Sequence, residues 1–305
     1  MRRVRYDSPG GPLFLEEVPV PSPGPGELLL RCEAIGVTLP VVRKVTEAAE
    51  PIPLGGEVAG DVTAVGEGVT GFRIGERVTG LCFGHGYADF AVLHETMASP
   101  VPEGAEAVAA VALVRSGQVA LGALAAARPG PGEAALVTAA ASGVGHLAVQ
   151  LARAHGASRV VAAVSDPAKS AFVSALGADE VVVYGQSDWG PPVDYVLDAV
   201  GGELLTPALA SLAPGGRLVA YSSGGGTIQA YDLLAGARSV IGFQMARVAR
   251  DEPQTCERRR RELWRMVAQG ELRPAVHGVF ALEDAAEAHA AIASRRNLGK
   301  VVLVP

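Results

Sequence analysis

Lysine is almost missing from this chain. Only Lys44, Lys169 and Lys300 are present, so arginine supplies nearly all of the 26 basic residues. Against 32 acidic residues these leave a net charge of −6, which argues against a nucleic-acid or anionic-membrane partner. Cysteine is just as sparse. Cys32, Cys82 and Cys256 are odd in number and far apart, with no Cys-x-x-Cys and no Cys/His cluster. Neither a disulfide framework nor a local zinc knuckle is readable, and a reducing cytoplasm is the expected setting. No apolar run follows Arg2, Arg3 and Arg5; Asp7 and a Pro-Gly pair come instead, so a signal peptide is not expected. The window 134–152 carries no full charge. Its centre, Ala-Ser-Gly-Val-Gly, reads as a strand–turn–helix joint and not as a membrane span.

Glycine and apolar side chains are plentiful: 38 glycines, and 49% hydrophobic against 19% charged residues in a length of 305. That composition fills a sizeable core, speaks against disorder, and suits two domains of ordinary size. Residues 1–30 hold Pro9, Pro19, Pro21, Pro23 and Pro25 between short β-like runs, and from Gly55 to Val92 brief Val-rich runs are punctuated by glycines. This predicts an irregular β-rich module. Residues 105–127 read as an Ala-rich helix. From Ala134 the pattern changes, with apolar runs near 134–138, 159–164, 180–184, 193–198, 217–221 and 239–243 alternating with helical stretches. Such alternation predicts an α/β fold with a doubly wound parallel sheet. We place that domain at 114–253, and assign 1–113 and 254–305 to the β-rich module.

The segment from Ala134 to Ala152 is the most informative. An apolar strand enters a turn of small residues and then an amphipathic helix, which lets backbone approach a pyrophosphate whose charge sits at the helix N-terminus. A strict G-x-G-x-x-G would need Gly at 140, 142 and 145; Ala140, Ser142 and Gly145 stand there, so a βα turn without a ligand is the competing reading. The end of the next strand selects the coenzyme, an acid suiting a free ribose 2′-OH and basic or hydroxyl groups a 2′-phosphate. Val160–Val164 holds no acid and leads into Ser165, Asp166, Pro167, Ala168 and Lys169. Asp166, about twenty residues beyond the turn, can be taken for the acid of an NAD site. Pro167 points instead to a helix start capped by Ser165 or Asp166, and with Lys169 one turn on, the segment favours NADPH over NADH.

Several stretches in fixed order carry a resemblance. They include Glu-Glu-Val-Pro-Val-Pro with Pro-Gly-Pro-Gly-Glu (16–27), Gly-Glu-Val-Ala-Gly (56–60), Val-Gly-Glu-Gly-Val-Thr-Gly-Phe-Arg-Ile-Gly-Glu-Arg-Val (65–78), and the turn at 139–145. Leu-Asp-Ala-Val-Gly-Gly (197–202), Leu-Ala-Pro-Gly-Gly-Arg-Leu (212–218), Leu-Glu-Asp-Ala-Ala-Glu-Ala-His and Gly-Lys-Val-Val-Leu (282–303) follow. With these the chain resembles the zinc-independent medium-chain dehydrogenase/reductase family, in its quinone oxidoreductase branch. The resemblance implies a GroES-like β-rich catalytic domain plus a Rossmann domain, with NADPH in the cleft. It assigns Ser142, Gly143, Val144 and Gly145 to the pyrophosphate, and Ser165, Lys169 and Tyr184 to the 2′-phosphate. Ser222 and Ser223 match the loop beside the nicotinamide ribose, Phe243 the stretch covering the nicotinamide, and Asn297 and Lys300 residues reaching back to the phosphates. For Lys300 a solvated strand-edge lysine is the alternative.

Zinc-dependent relatives place a Cys soon after the Gly-Val turn and a His before the Glu. Here Gly36-Val37-Thr38 and Gly55-Gly56-Glu57 stand instead, so no sulfur and nitrogen tetrahedron is expected at these positions and no metal is assigned. The substrate end also departs from the branch: Thr38 replaces an Asn, Arg43 and Lys44 lie near a missing Tyr, and Val119 replaces a Thr. Thr38 and Arg43 are the catalytic candidates; Arg43 would steady an enolate or bind an acidic substrate, or is a surface arginine. Arg258–Arg261 with Arg265 reads as a solvated helix face. The expected activity is NADPH-dependent, metal-independent hydride transfer to a conjugated double bond or a quinone, in a homodimer paired along the 239–243 edge. Alternatives are a tailoring enoyl reductase, or an NADPH-binding regulatory or RNA-interacting protein.

Overall fold

The Pro- and Gly-rich opening folds as two short strands, β1 (Arg2–Arg5) and β2 (Phe14–Glu17), paired antiparallel. The first long apolar run makes β3 (Glu27–Val37), which stops where Pro40 enters the first turn of α1 (Leu39–Glu47), a position proline tolerates. Next come β4 (Glu57–Val65), β5 (Arg77–Leu81), β6 (Phe90–His94), β7 (Ala98–Pro100) and α2 (Ala107–Ala127). The alternating part contains β8 (Ala134–Val137), α3 (Gly145–Ala154), β9 (Arg159–Val164), α4 (Ser170–Ala175), β10 (Glu180–Val183), β11 (Val193–Asp198) and α5 (Leu205–Ala210). It continues through β12 (Leu212–Ala220), α6 (Ala230–Gly236), β13 (Ser239–Gly242), α7 (Met245–Asp251) and α8 (Pro253–Ala268). The chain closes on β14 (Val276–Ala281), α9 (Ala285–Ala293) and β15 (Lys300–Val304).

The computed structural model describes residues 1–221 and 224–305. It divides into two units, Met1–Arg115 with Ala275–Pro305, and Ser116–Pro274. The first division falls within two residues of the expected one. The second lies at 274/275, so α8, which the sequence reading gave to the β-rich module, belongs to the second unit. Packing gives the reason: buried Leu263 of α8 lies against Gly117, where a Cβ would come within 2.8 Å of its methyls.

In the first unit β3 is long enough to hold three partners. β4 runs along one edge, while β6 pairs with Glu27–Arg31 and β15 with Ile35–Val37 on the other. The sheet order is β14-β15-β3-β4-β5-β7. Leu282, Val301 and Leu303 of the tail share one apolar cluster with Leu28, Leu30, Ile35 and Val58, which is what returns the chain end to this unit. His289 of α9 is buried edge-on against Tyr87, its Nε2 3.1 Å from the phenol oxygen.

Burial pushes the His289 imidazole from 6.5 to about 4. Its folded-state pKa lies below the unfolded one, so the unfolded chain binds the extra proton between these values. Stability therefore rises with pH across this window and is lost as pH falls from 6.5 towards 4, by ~3 kcal/mol. His289→Gln should flatten this acid slope in urea midpoints. An unchanged slope would locate the titration elsewhere.

The second unit is a wholly parallel six-stranded sheet of order β10-β9-β8-β11-β12-β13. The chain winds outward from β8 to β10, then returns to β11 and winds the other way. The order thus reverses between β8 and β11, and ligands of such sheets bind outside the carboxyl ends of the strands at that point. The uncharged window 134–152 is β8, its turn and most of α3. α2 is long and apolar enough to cross a membrane, but 78% of its most apolar window is buried inside the protein, where a core helix sits.

Candidate functional site

In the second unit the turn after β8 is set by small residues. Ala139 adopts a left-handed φ of +46°. Gly145 must be glycine, because a Cβ would lie 2.1 Å from the Ala139 carbonyl oxygen. Ser142 Oγ accepts from the Gly145 amide at 3.0 Å, and the Ser142 carbonyl accepts from the His146 amide at 3.1 Å. Ser142, Gly143 and Val144 are half-buried at the head of α3, whose partial positive charge suits an anion.

The neighbouring strand ends contribute the rest. After β9, Lys169 Nζ donates to Ser165 Oγ at 3.0 Å on the surface. Asp166 is turned to its own helix start, accepting from the Ala168 amide at 2.8 Å. After β10, the Tyr184 hydroxyl accepts from the Ala139 amide at 2.6 Å, which ties that loop to the turn. The structure therefore brings together Ser142–Gly145, Ser165, Lys169 and Tyr184 at the carboxyl ends of three adjacent strands. A cation and a hydroxyl where the ribose would sit, with the nearby carboxylate already engaged, fit a dinucleotide carrying a 2′-phosphate. Ser222 and Ser223 lie outside the described residues. The Phe243 ring packs on α2, where Gly122 leaves it room; a Cβ there would lie 2.2 Å from Cζ.

Sequence reasoning did not single out Asp198 at the end of β11. It is fully buried, and accepts from Thr138 Oγ1 at 2.8 Å and from the Gly201 amide at 2.9 Å. It clamps the ends of β8 and β11 at the point where the strand order reverses.

In the first unit one end of the sheet gathers the other candidates. Thr38 caps the start of α1 without a side-chain hydrogen bond, and Arg43 is half-buried on that helix. Asn297 spends its amide on the Gly299 carbonyl at 3.0 Å. Lys300 is a correction. It is 3% exposed and its ammonium donates to Glu57, so it is not the solvated strand-edge lysine that the sequence allowed. The Arg115 guanidinium holds the other Glu57 oxygen at 2.7 Å. Burial opposes the Glu57 charge, but Lys300 and Arg115 together hold this carboxyl below its usual range. Burial also pushes the Lys300 ammonium down, and Glu57 offsets part of that. These three positions are far apart along the chain, and no local motif could have paired them. Among the described residues no group of three or more His, Cys, Asp or Glu is placed to hold a metal ion.

The sequence signature of the alcohol dehydrogenase GroES-like domain matches residues 24–103, and that of a zinc-binding dehydrogenase matches 176–303. The quinone oxidoreductase of Pseudomonas aeruginosa is 32% identical, with 100% of this chain and 99% of that protein aligned. The chain belongs to the zinc-independent medium-chain dehydrogenase/reductases, in their quinone oxidoreductase-like branch. The zinc in the second signature's description has no counterpart at Thr38 and Gly56, which offer no zinc donor. A Burkholderia protein named 2-haloacrylate reductase is 31% identical over 97% of this chain and 96% of its own length. A mycobacterial protein solved in complex with NADPH superposes with a TM-score of 0.92 at 31% identity, covering 100% of both chains. The first unit is thus GroES-like, the second a Rossmann domain, and the protein an oxidoreductase.

Proposed function

We propose that this medium-chain reductase transfers hydride from NADPH to a carbon–carbon double bond conjugated to a carbonyl, or to a quinone. The Ser165–Lys169 pair beside the turn, with Asp166 committed to its own helix, carries the coenzyme assignment. The mycobacterial neighbour solved with NADPH supports it. Ser142, Gly143, Val144 and Gly145 hold the pyrophosphate; Ser165, Lys169 and Tyr184 hold the 2′-phosphate. When bound, the reduced nicotinamide supplies the hydride. Thr38 takes the place of a family Asn as a donor to the acceptor's oxygen, with Arg43 on the helix that follows.

A conjugated acceptor suits this donor set. Thr38 and Gly56 stand where zinc-dependent relatives keep their ligands, and polarising a simple ketone is harder without such a Lewis acid. Addition at the β-carbon instead spreads charge to a distant oxygen that hydrogen-bond donors can hold, and water supplies the proton. The names quinone oxidoreductase and 2-haloacrylate reductase among the relatives fit acceptors of this kind. With NADPH deuterated at C4 on the transferred face, the label should appear at the β-carbon of an enone product. Label on a carbinol carbon would show carbonyl reduction and sink the proposal.

The reading includes a homodimer. β13 is an edge strand paired on one side with β12, and Tyr231 and Leu234 on α6 are 74% and 76% exposed. Pairing two such edges across a two-fold axis would hide an aggregation-prone surface. Light scattering should give a mass near twice 31.2 kDa; the monomer mass at micromolar concentration would reject it.

A further inference from the structure

We propose that Arg115 is an anion-binding residue at the substrate end of the GroES-like unit, selecting acceptors whose conjugated double bond bears a carboxylate. The proposal rests on the reductase reading above and narrows its substrate class. The starting observation is a charge imbalance. Glu57 and Lys300 are 4% and 3% exposed, and Glu57 is shared between Lys300 and Arg115. One carboxylate therefore faces two cations. Among the described residues no second carboxylate forms an ion pair with either. A surplus charge in a low-dielectric setting is costly unless an anion or water answers it. Lys300 is sealed, whereas the Arg115 side chain is 32% exposed, so the surplus is presented there.

Sheet register places this cluster at the reacting end of the unit. Glu57 pairs with Gly36 at the end of β3 and with Leu81 at the end of β5, and Val37 pairs with Val301. Thr38 and Gly56 flank the same end. Gly36 makes room for the pair, since a Cβ there would lie 2.6 Å from Glu57 Oε2 and 3.0 Å from Lys300 Cε. Around Gly56, next to Glu57, a Cβ would meet nothing within 4 Å. Glu57 engages Arg115 through Nη1, which fixes the guanidinium and leaves further donors of its planar fork for a second carboxylate. In the reaction itself, NADPH gives hydride to the β-carbon and becomes NADP⁺, water gives a proton to the α-carbon, and the double bond becomes single. Charge builds on a carboxylate that already carries one, and a fixed cation offsets it.

Two measurements test this on the full-length protein with bound coenzyme. In the first, kcat/KM is compared for 2-chloroacrylate and its methyl ester, in the wild type and in Arg115→Gln. Glutamine keeps an N–H for Glu57 but no charge. The wild type should prefer the acid, and the variant should lower the acid-to-ester ratio roughly ten- to a hundred-fold, mostly through KM for the acid. Arg115→Lys should restore part of the ratio. An equal loss on both substrates would show a structural role, and a wild-type preference for the ester would overturn the proposal without any variant.

The second measurement is calorimetric binding of propionate against propionamide, which needs no turnover. Tighter binding of propionate that depends on Arg115 supports the site even if every acceptor proves inert, an outcome that would remove the reductase reading alone. Equal binding of the two overturns the site even if enones are reduced. Should Arg115→Gln fail to fold, Arg115→Met takes its place in both assays, and a wild-type preference for the ester or equal binding of propionate and propionamide still overturns the proposal.

Discussion

Lys169→Ala should weaken NADPH binding roughly ten- to a hundred-fold and leave NADH binding nearly unchanged. A charge-assisted hydrogen bond to a phosphate is worth ~1.5–3 kcal/mol, which converts to that range. Lys169 is one of three lysines in the chain, and its ammonium lies 3.0 Å from Ser165 Oγ at the end of β9. Removing it takes away the cation while leaving the turn at 139–145 intact. The loss should fall on the coenzyme with the 2′-phosphate and spare the one without it. Asp166 sharpens the contrast. Its carboxylate accepts from the Ala168 amide; were it turned to the ribose instead, it would repel a 2′-phosphate and the wild type would prefer NADH. Fluorescence titration of both coenzymes against both proteins checks this. Equal losses for the two would show that Lys169 does not hold the 2′-phosphate, and a wild-type preference for NADH would show that this loop receives a free ribose hydroxyl instead.

Glu57→Leu should destabilise the GroES-like unit by about 3–5 kcal/mol, the usual cost of stripping one partner from a buried ion pair. Lys300 would remain sealed in the sheet with no carboxylate, and Arg115 would add a like charge nearby. Lys300→Met should cost less, because it leaves Glu57 paired with Arg115 and puts an apolar chain of similar length into a buried position. Both tryptophans, Trp189 and Trp264, lie in the other unit, so their fluorescence is not a local probe of this sheet end. Hydrogen exchange of the β3, β4 and β15 amides reads it directly. Matching protection in wild type and Glu57→Leu would show that the network contributes little to holding the sheet end. A larger loss in Lys300→Met than in Glu57→Leu would reverse the assigned roles.

Local pattern was enough to read the alternating half of this protein. Apolar strands, small-residue turns and helix starts are encoded within a few residues of one another, and the sheet from β8 to β13 follows from them. The coenzyme segment was legible for the same reason, since Ser165, Asp166, Pro167 and Lys169 are neighbours and their roles follow from strand end and helix cap. The short, Gly-punctuated strands marked the first unit as β-rich. What they could not show is that β3 holds β6 and β15 on one edge. Such pairings join residues far apart in sequence, and the hydrophobic pattern is the same whichever strands meet.

Only tertiary structure decided the fate of the charges. Lys300 stands at a strand start, where composition alone suggests solvent, yet β15 carries it inward against Glu57. Arg115 lies in an Ala-rich helix with nothing beside it in sequence to mark a partner, and the same carboxylate holds it in place. Likewise the Arg-rich helix joins the Rossmann unit because Leu263 finds the space left by Gly117, a contact no window of the sequence contains. Burial and long-range pairing set the electrostatics of this end of the molecule. A residue's charge is written in the sequence; whether that charge is answered depends on which distant segment folds against it.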